Sequence, residues 1–468
     1  MTLRLYNTLT KKVEDFVPRE KGKVNLFVCG PTVYDLSHLG HAKTYIQMDT
    51  LARLIRHNDY ELFYLQNITD IDDKIIVRSH EKNIDWQDLR SNFQDEYIKD
   101  MSSLNNTSVT EYARATDYID DIISQVTRLI DGEHAYTIEN DGIYFEISTF
   151  PDYGKLSGRS EVKKDDAQTR IDESDNKRGW NDFCLWKFSK VGEPTWDAPF
   201  GAGRPGWHIE DTAISEHFFG SQYDIHGGAV DLIFPHHEAE ITQMESISNE
   251  VPMVRYWTHT GFLTIHSEKM SKSTGNFYTI REVIEKGYDP LVIRLFMLQS
   301  HYRSAINFSF DNLDAAKNRM TNWRNIAALR HQTHDTLRDD DEKSTDNRSV
   351  SLYAATQALV EALNDDINTP EALVIIEDAF ARLSGARLLD IHQHALTQLL
   401  ETIDDVLGLE LINSTKDIDD DAKRLIIERQ HARDAKDWNI SDKLRDELLK
   451  RNIVIRDTSH GSIWEYAN

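Results

Sequence analysis

The stretch from Val24 to Gln66 limits the possible fold more than any other part of the chain. Val24 to Val28 is a short apolar run ending at Cys29-Gly30-Pro31. Lys43 to His57 carries Met48, Leu51, Leu54 and Ile55 at helical spacing, and Glu61 to Gln66 is a second, β-favouring run. A strand, a helix and a strand in that order form a parallel pair with a right-handed crossover. Ligands of such sheets sit beyond the carboxyl ends of the strands, where Cys29 and Gly30 fall. The predicted class is α/β with a parallel sheet near the start of the chain.

A chain of 468 residues is long enough for two to four domains. No apolar run approaches the roughly 18 residues of a membrane span, and the first residues lack a basic segment followed by an apolar core. A soluble protein in the cytoplasm with no membrane partner is expected. The only two cysteines, Cys29 and Cys184, cannot form a disulfide framework, which agrees with a reducing compartment.

Asn312 to Arg330 and Val350 to Leu411 are helical in pattern, whereas the acidic stretches His334 to Arg348 and Ser414 to Asp421 read as solvated linkers. Residues from about 86 to 200 read as an insertion into the sheet domain. The expected division is 1–310 with that insertion, a helical bundle over 311–411, and a small C-terminal region over 412–468. The net charge of −26 opposes adhesion to polyanions over the whole surface, yet Ala422 to Arg456 holds ten basic against six acidic residues. Within that segment Trp438 and Trp464 accompany Arg429, Arg433, Lys436, Arg445 and Arg456. They form either an aromatic, basic surface for splayed bases or the core of a small domain.

Three motifs carry chemistry. In His38-Leu39-Gly40-His41, two imidazoles stand at a helix start beside a glycine that admits a planar ligand, an arrangement suited to the phosphates of ATP. Alone, the string is more often a pair of capping or surface histidines. Lys269-Met270-Ser271-Lys272-Ser273 places two lysines on a small-residue segment able to neutralise a leaving pyrophosphate; its bland reading is a solvated Lys-Ser loop. Pro235-His236-His237-Glu238-Ala239-Glu240 sets His236 and Glu240 at i and i+4 on one helical face, where both can grip one metal ion.

The first two motifs, in this order and about 230 residues apart, resemble the signature of class I aminoacyl-tRNA synthetases. Longer strings resemble cysteinyl-tRNA synthetases: Phe27-Val28-Cys29-Gly30-Pro31-Thr32-Val33-Tyr34-Asp35, Asn67-Ile68-Thr69-Asp70-Ile71-Asp72-Asp73-Lys74, Gly203-Arg204-Pro205-Gly206-Trp207-His208-Ile209-Glu210, Asp224-Ile225-His226-Gly227-Gly228 and Phe234-Pro235-His236-His237-Glu238. The likeness continues through Asn364-Asp365-Asp366-Ile367-Asn368-Thr369-Pro370 and Ala435-Lys436-Asp437-Trp438.

The resemblance implies a Rossmann-like parallel-sheet catalytic domain with an inserted connective region, followed by an α-helical tRNA-binding part whose last piece reads the anticodon. It implies ATP-dependent activation of L-cysteine to cysteinyl-adenylate and transfer to the 3′-terminal adenosine of tRNA(Cys). His38, Gly40, His41, Lys269 and Lys272 are the implied ATP-site and catalytic residues, and Gly30, Thr69 and Trp207 the implied lining of the amino-acid pocket. One zinc ion per chain would be held by Cys29, Asp211, His236 and Glu240, and magnesium would accompany ATP. No obligate protein partner is implied.

Asp211 departs from the family pattern, which has a second cysteine there, and resembles archaeal-type sequences with Asp-Thr-Ala-Ile at that place. The substitution keeps the ligand charge and makes the site harder. Two other classes stay open on sequence: a related ligase that joins activated cysteine to an amino-sugar without tRNA, and a non-catalytic, nucleotide-responsive zinc protein.

Overall fold

The computed structural model describes residues 2–159, 174, 176–265, 268–269, 276–332, 347–384, 393–458 and 461–467. Two compact units emerge, Thr2–Gly287 with Tyr302–Phe308, and Tyr288–His301 with Ser309–Asn468.

The first unit opens with the antiparallel pair β1 (Arg4–Asn7) and β2 (Lys12–Asp15). It continues through β3 (Lys23–Val28), α1 (Leu39–His57), β4 (Glu61–Ile68), α2 (Asp73–Lys82), α3 (Trp86–Ser103), β5 (Glu111–Arg114) and α4 (Ile119–Asp131). Then come β6 (Ala135–Ile138), β7 (Gly142–Phe145), β8 (Phe183–Phe188), β9 (Gly203–Pro205), α5 (Ile209–Phe219), β10 (Tyr223–Ala229), α6 (Glu238–Ser248) and β11 (Val254–Thr260). It closes with β12 (Leu263–Ile265), β13 (Glu268–Lys269), α7 (Ile280–Glu285) and, after α8 (Pro290–Leu298) of the other unit, β14 (Ile306–Phe308).

The five-stranded sheet runs β11-β10-β3-β4-β5, and every pairing in it is parallel. The chain leaves β3 toward β4 on one side and reaches β10 on the other, so the topological switch, and with it the ligand crevice, lies at the carboxyl ends of β3 and β10. Each face of such a sheet is covered, and the strands are accordingly near-continuous apolar runs; Leu26, Phe27 and Val28 of β3 are all inaccessible to solvent.

The segment from Trp86 to Arg114 departs from the sequence expectation of an insertion. It supplies α3 and the edge strand β5 of the parallel sheet. The added layer is instead the antiparallel sheet β6-β7-β8-β9, whose core includes Ile143, Phe145, Leu185 and Trp186.

The second unit consists of α8 and then α9 (Phe310–Ala327), α10 (Asn347–Asn364), α11 (Thr369–Ser384), α12 (Gln393–Leu407), α13 (Leu411–Ser414), α14 (Asp420–Asp434) and α15 (Trp438–Lys450), followed by the hairpin β15 (Ile453–Thr458) and β16 (Gly461–Tyr466). Ser414 to Asp421 keeps its acidic residues exposed, as its composition suggests, yet it is anchored to the fold. Thr415 and Ile418 are buried, and the Asp419 side chain accepts the Ala422 N–H to cap α14. Among the described residues no helix is long and apolar enough to cross a membrane.

Candidate functional site

Four buried donors meet at the switch point. Cys29 follows the last residue of β3 and extends its pairing, the Cys29 N–H donating to the Gly227 carbonyl at 3.1 Å. Asp211 lies in the first turn of α5 and Glu240 in the first turn of α6. The N-terminal end of a helix favours a carboxylate, so two helix starts aim at one spot. The turn Ile233–His237 carries His236 into the same place.

His236 Nε2 lies 3.0 Å from Asp211 Oδ2 and 3.1 Å from Glu240 Oε1, the i, i+4 pair expected from spacing, and Cys29 Sγ is 3.9 Å from Glu240 Oε1. The four ligand atoms all fall within 4.8 Å of one another. A tetrahedron with bonds of about 2.0–2.3 Å has edges of about 3.3–3.8 Å, so the cluster has the dimensions of a metal site.

Neighbours outside the quartet fix these donors. At Gly30 a Cβ would stand 1.6 Å from the Asn67 carbonyl oxygen, so only glycine allows β3 and β4 to approach this closely. The Gly30 N–H donates to Asn67 Oδ1 at 2.6 Å, while Asn67 Nδ2 donates to Asp211 Oδ1 at 2.5 Å; one amide thereby ties the β3 turn to the carboxylate. The Thr69 hydroxyl donates to Glu210 Oε1 at 2.5 Å, and Trp207 stacks on His236 with centroids 4.1 Å apart. All three expected pocket residues therefore border the quartet or its flanking residues.

Three further groups were not assigned a role from sequence. Asn67 is one. His226 and His237, whose Nε2 atoms lie 3.3 and 3.1 Å from Cys29 Sγ, are the others. The available signal was a histidine inside the apolar strand β10 and a second one beside His236.

Burial dominates the electrostatics. It pushes the Cys29 thiol well up, with Glu240 and Asp211 adding to the effect, and raises the Glu240 carboxyl, with Asp211 next in importance. It also pushes His226 and His237 well below the usual imidazole range and His259 down to about 3. Anions disfavoured by burial and by each other, surrounded by neutral imidazoles, are the groups a dication relieves. Glu240 Oε2, buried without a hydrogen-bond partner, agrees with that donor set.

His38 is the N-cap of α1, and His41 is its third residue. Each Nδ1 accepts the other's backbone N–H, at 3.3 and 3.4 Å, and the rings stack at 3.7 Å. With both Nδ1 atoms accepting, the ring protons sit on Nε2, and Gly40 lies in the same first turn. One turn further on, the Tyr45 hydroxyl donates to the Cys29 carbonyl at 3.3 Å, which connects this helix to the quartet.

Phe277 to Thr279 comes back to the same helix start. The Leu39 N–H donates to the Tyr278 carbonyl, the Ile280 N–H donates to the Ser37 carbonyl, and Phe277 lies edge-on to His38 at 5.4 Å. The segment just after the lysine motif is thus joined to the histidine motif. Lys269 ends β13, paired with Thr264; Lys272 lies outside the described residues.

In the C-terminal part the two tryptophans separate. Trp438, the first residue of α15, is 58% exposed, whereas Trp464 is 1% exposed in a core with Ala422, Ile426, Leu448 and Ile455. Arg429 is buried and donates to both carboxylate oxygens of Asp457 at 3.0 and 2.8 Å, and Arg433 pairs with the same carboxylate. Of the surface expected from sequence, Trp464 and Arg429 therefore belong to the interior, while Trp438, Lys436 and Arg445 face solvent.

Comparison with known proteins follows the same division. Residues 15–318 match the tRNA synthetases class I (C) catalytic domain, and residues 415–464 match the cysteinyl-tRNA ligase anticodon binding domain. A cysteine--tRNA ligase of Heliobacterium modesticaldum is 41% identical over 484 aligned positions, covering 100% of both chains. One from Thermococcus onnurineus is 40% identical, covering 99% of each. Among solved structures, Mycobacterium tuberculosis methionyl-tRNA synthetase bound by methionyl-adenylate shares the fold at a TM-score of 0.63 and 14% identity, over 83% of this chain and 92% of that one. The chain belongs to the cysteine--tRNA ligase family of class I aminoacyl-tRNA synthetases.

Proposed function

We propose that this chain activates L-cysteine with ATP and transfers it to tRNA(Cys) in the cytoplasm. The observation that carries the reading is the convergence of Cys29, Asp211, His236 and Glu240 at the sheet's switch point, in a chain that cysteine--tRNA ligases match along its whole length. The cysteine carboxylate attacks the α-phosphate of ATP and expels pyrophosphate. A ribose hydroxyl of the terminal adenosine then attacks the acyl carbon and expels AMP. Neither step needs a nucleophile from the protein, whose part is positioning and electrostatics.

His38 and His41, with ring protons on Nε2 at a helix start, donate to the phosphates, and Lys269 and Lys272 neutralise the charge on the departing pyrophosphate. Magnesium accompanies ATP. Gly30, Thr69 and Trp207 border the pocket for the amino acid. Cys29, Asp211, His236 and Glu240 would hold zinc, which supplies a thiolate-selective Lewis acid and so separates cysteine from serine, a distinction beyond an apolar pocket. The domain assignment follows: a catalytic domain over 1–310, helices over 311–411 and an anticodon-binding region over 412–468.

The match of residues 415–464 favours tRNA over an amino-sugar as acceptor. Pyrophosphate exchange with cysteine and with serine, tRNA(Cys) charging, and metal analysis together test the reading. Cysteine-dependent exchange without charging would move the chain to the small-molecule ligase class. No exchange at all would leave a non-catalytic zinc protein.

A further inference from the structure

Cys29 and Glu240 belong to two groups of four donors, not one. Asp211 and His236 complete the first group, His226 and His237 the second, and in each group all ligand atoms lie within 4.8 Å. In the second group His226 Nε2 is 3.3 Å from Cys29 Sγ and 3.6 Å from Glu240 Oε2. His237 Nε2 is 3.1 Å from Cys29 Sγ and 3.9 Å from Glu240 Oε1. All four side chains are buried.

Both rings are oriented from behind. His226 Nδ1 lies 2.7 Å from the Tyr223 hydroxyl, and His237 Nδ1 lies 2.8 Å from His259 Nε2, whose own Nδ1 is 2.8 Å from Thr8 Oγ1. An imidazole that donates from Nδ1 to an outer partner presents its Nε2 lone pair forward, which is how ligating histidines are held. Here both Nε2 atoms face the shared thiol and carboxyl, and each Nδ1 has an outer partner to which it can donate. The two oxygens of Glu240 also divide: Oε1 faces His236, whereas Oε2, turned toward His226, is buried and accepts no hydrogen bond. A carboxylate oxygen in that position costs free energy unless a cation answers it.

We propose that the fold contains a second seat for the metal ion, formed by Cys29, His226, His237 and Glu240, and that one ion exchanges between it and the first seat. The proposal rests on the reading of the Cys29 cluster as a metal centre. The first seat offers one sulfur, one nitrogen and two oxygens carrying three negative charges. The second offers one sulfur, two nitrogens and one oxygen carrying two, which balances a dication and is the softer set. With Asp211 in place of a thiolate the first seat is oxygen-rich, and zinc is drawn to the second.

Zinc K-edge X-ray absorption on the native chain loaded with one equivalent of zinc tests this directly. The first seat supplies one imidazole, so a count above one imidazole per zinc supports the second seat, and a count of one overturns it. In His236→Gln the zinc stays at one per chain with one sulfur and two imidazoles, its affinity for zinc alone falling no more than about tenfold. Loss of zinc, or of imidazole scattering, from a variant with native circular dichroism overturns the proposal. His226→Gln, which leaves the first seat whole, lowers the native count to one; an unchanged count above one counts against the assignment. A native chain that takes up no zinc overturns the metal centre itself. One that binds zinc only through His236 overturns the second seat alone.

Discussion

Gly30→Ala is the most demanding single-methyl test of the site. The new Cβ would stand 1.6 Å from the Asn67 carbonyl oxygen and 2.7 Å from its carbonyl carbon, both backbone atoms that cannot swing aside as a side chain would. Restoring a van der Waals contact requires the turn after β3 and the end of β4 to separate by about 1.5 Å. That movement breaks the 2.6 Å bond from the Gly30 N–H to Asn67 and draws on the same amide that holds Asp211.

Overpacking costs about 1–3 kcal/mol, and the lost hydrogen bond about 1 kcal/mol more. The larger effect falls on the chemistry, since a misplacement of about 1 Å at reacting groups costs on the order of 100-fold in rate. Cysteine-dependent pyrophosphate exchange should therefore fall about 100-fold while a thermal melt still shows a cooperative, lowered transition. Exchange within threefold of the native rate, with an unchanged melting temperature, would refute the close-approach argument.

Other expectations follow from the same geometry. His41→Ala and Lys272→Ala should each lower pyrophosphate exchange about 100-fold or more, as removal of a donor to developing charge does; rates within threefold in either variant would take that group out of the reaction. Asp211→Cys should keep cysteine activation and tighten zinc about tenfold or more in chelator competition, because a thiolate replaces an oxygen donor; weaker retention would show that Asp211 is not a ligand. Trp438→Ala, at an exposed position, should raise the KM for tRNA about tenfold and leave exchange unchanged. Asp457 is held at about 2, first by its hydrogen bond from Arg429. Its unfolded value is about 3.9, so the stability it contributes is complete above pH ~4 and is lost as the pH falls through about 2. Melting curves of the native chain and Asp457→Asn should separate above pH 4 and converge toward pH 2.

The legible parts of the site are those set by local spacing. His236 and Glu240 stand four residues apart on a helical turn, Cys29 ends an apolar strand, and His38 caps a helix, so each could be placed from its neighbours in sequence. The roles of Asn67, His226 and His237 depend on which strands lie side by side, and β10 reaches β3 from about 200 residues away. No periodicity within a single segment reports that. Charge was misleading for a related reason: Arg429 looks like a solvent-facing cation until Asp457, 28 residues further on, is brought against it. Trp438 and Trp464 have the same chemistry and opposite fates, one at the start of a helix and the other on the inner face of a two-stranded hairpin.

The order of strands in the central sheet also bears on how the protein is made. Pairing of β3 with β4 joins residues 38 positions apart and so closes a short loop. Its other neighbour, β10, must close a loop of roughly 200 residues, an entropically slower event. Cys29 therefore emerges early and waits at an open sheet edge, while Asp211, His236 and Glu240 arrive with the last strands. A chain that ends before β10 lacks His236 and Glu240, so the four-residue cluster cannot form in it. Completion of the cluster therefore comes with the late pairing of the sheet, not with its early half.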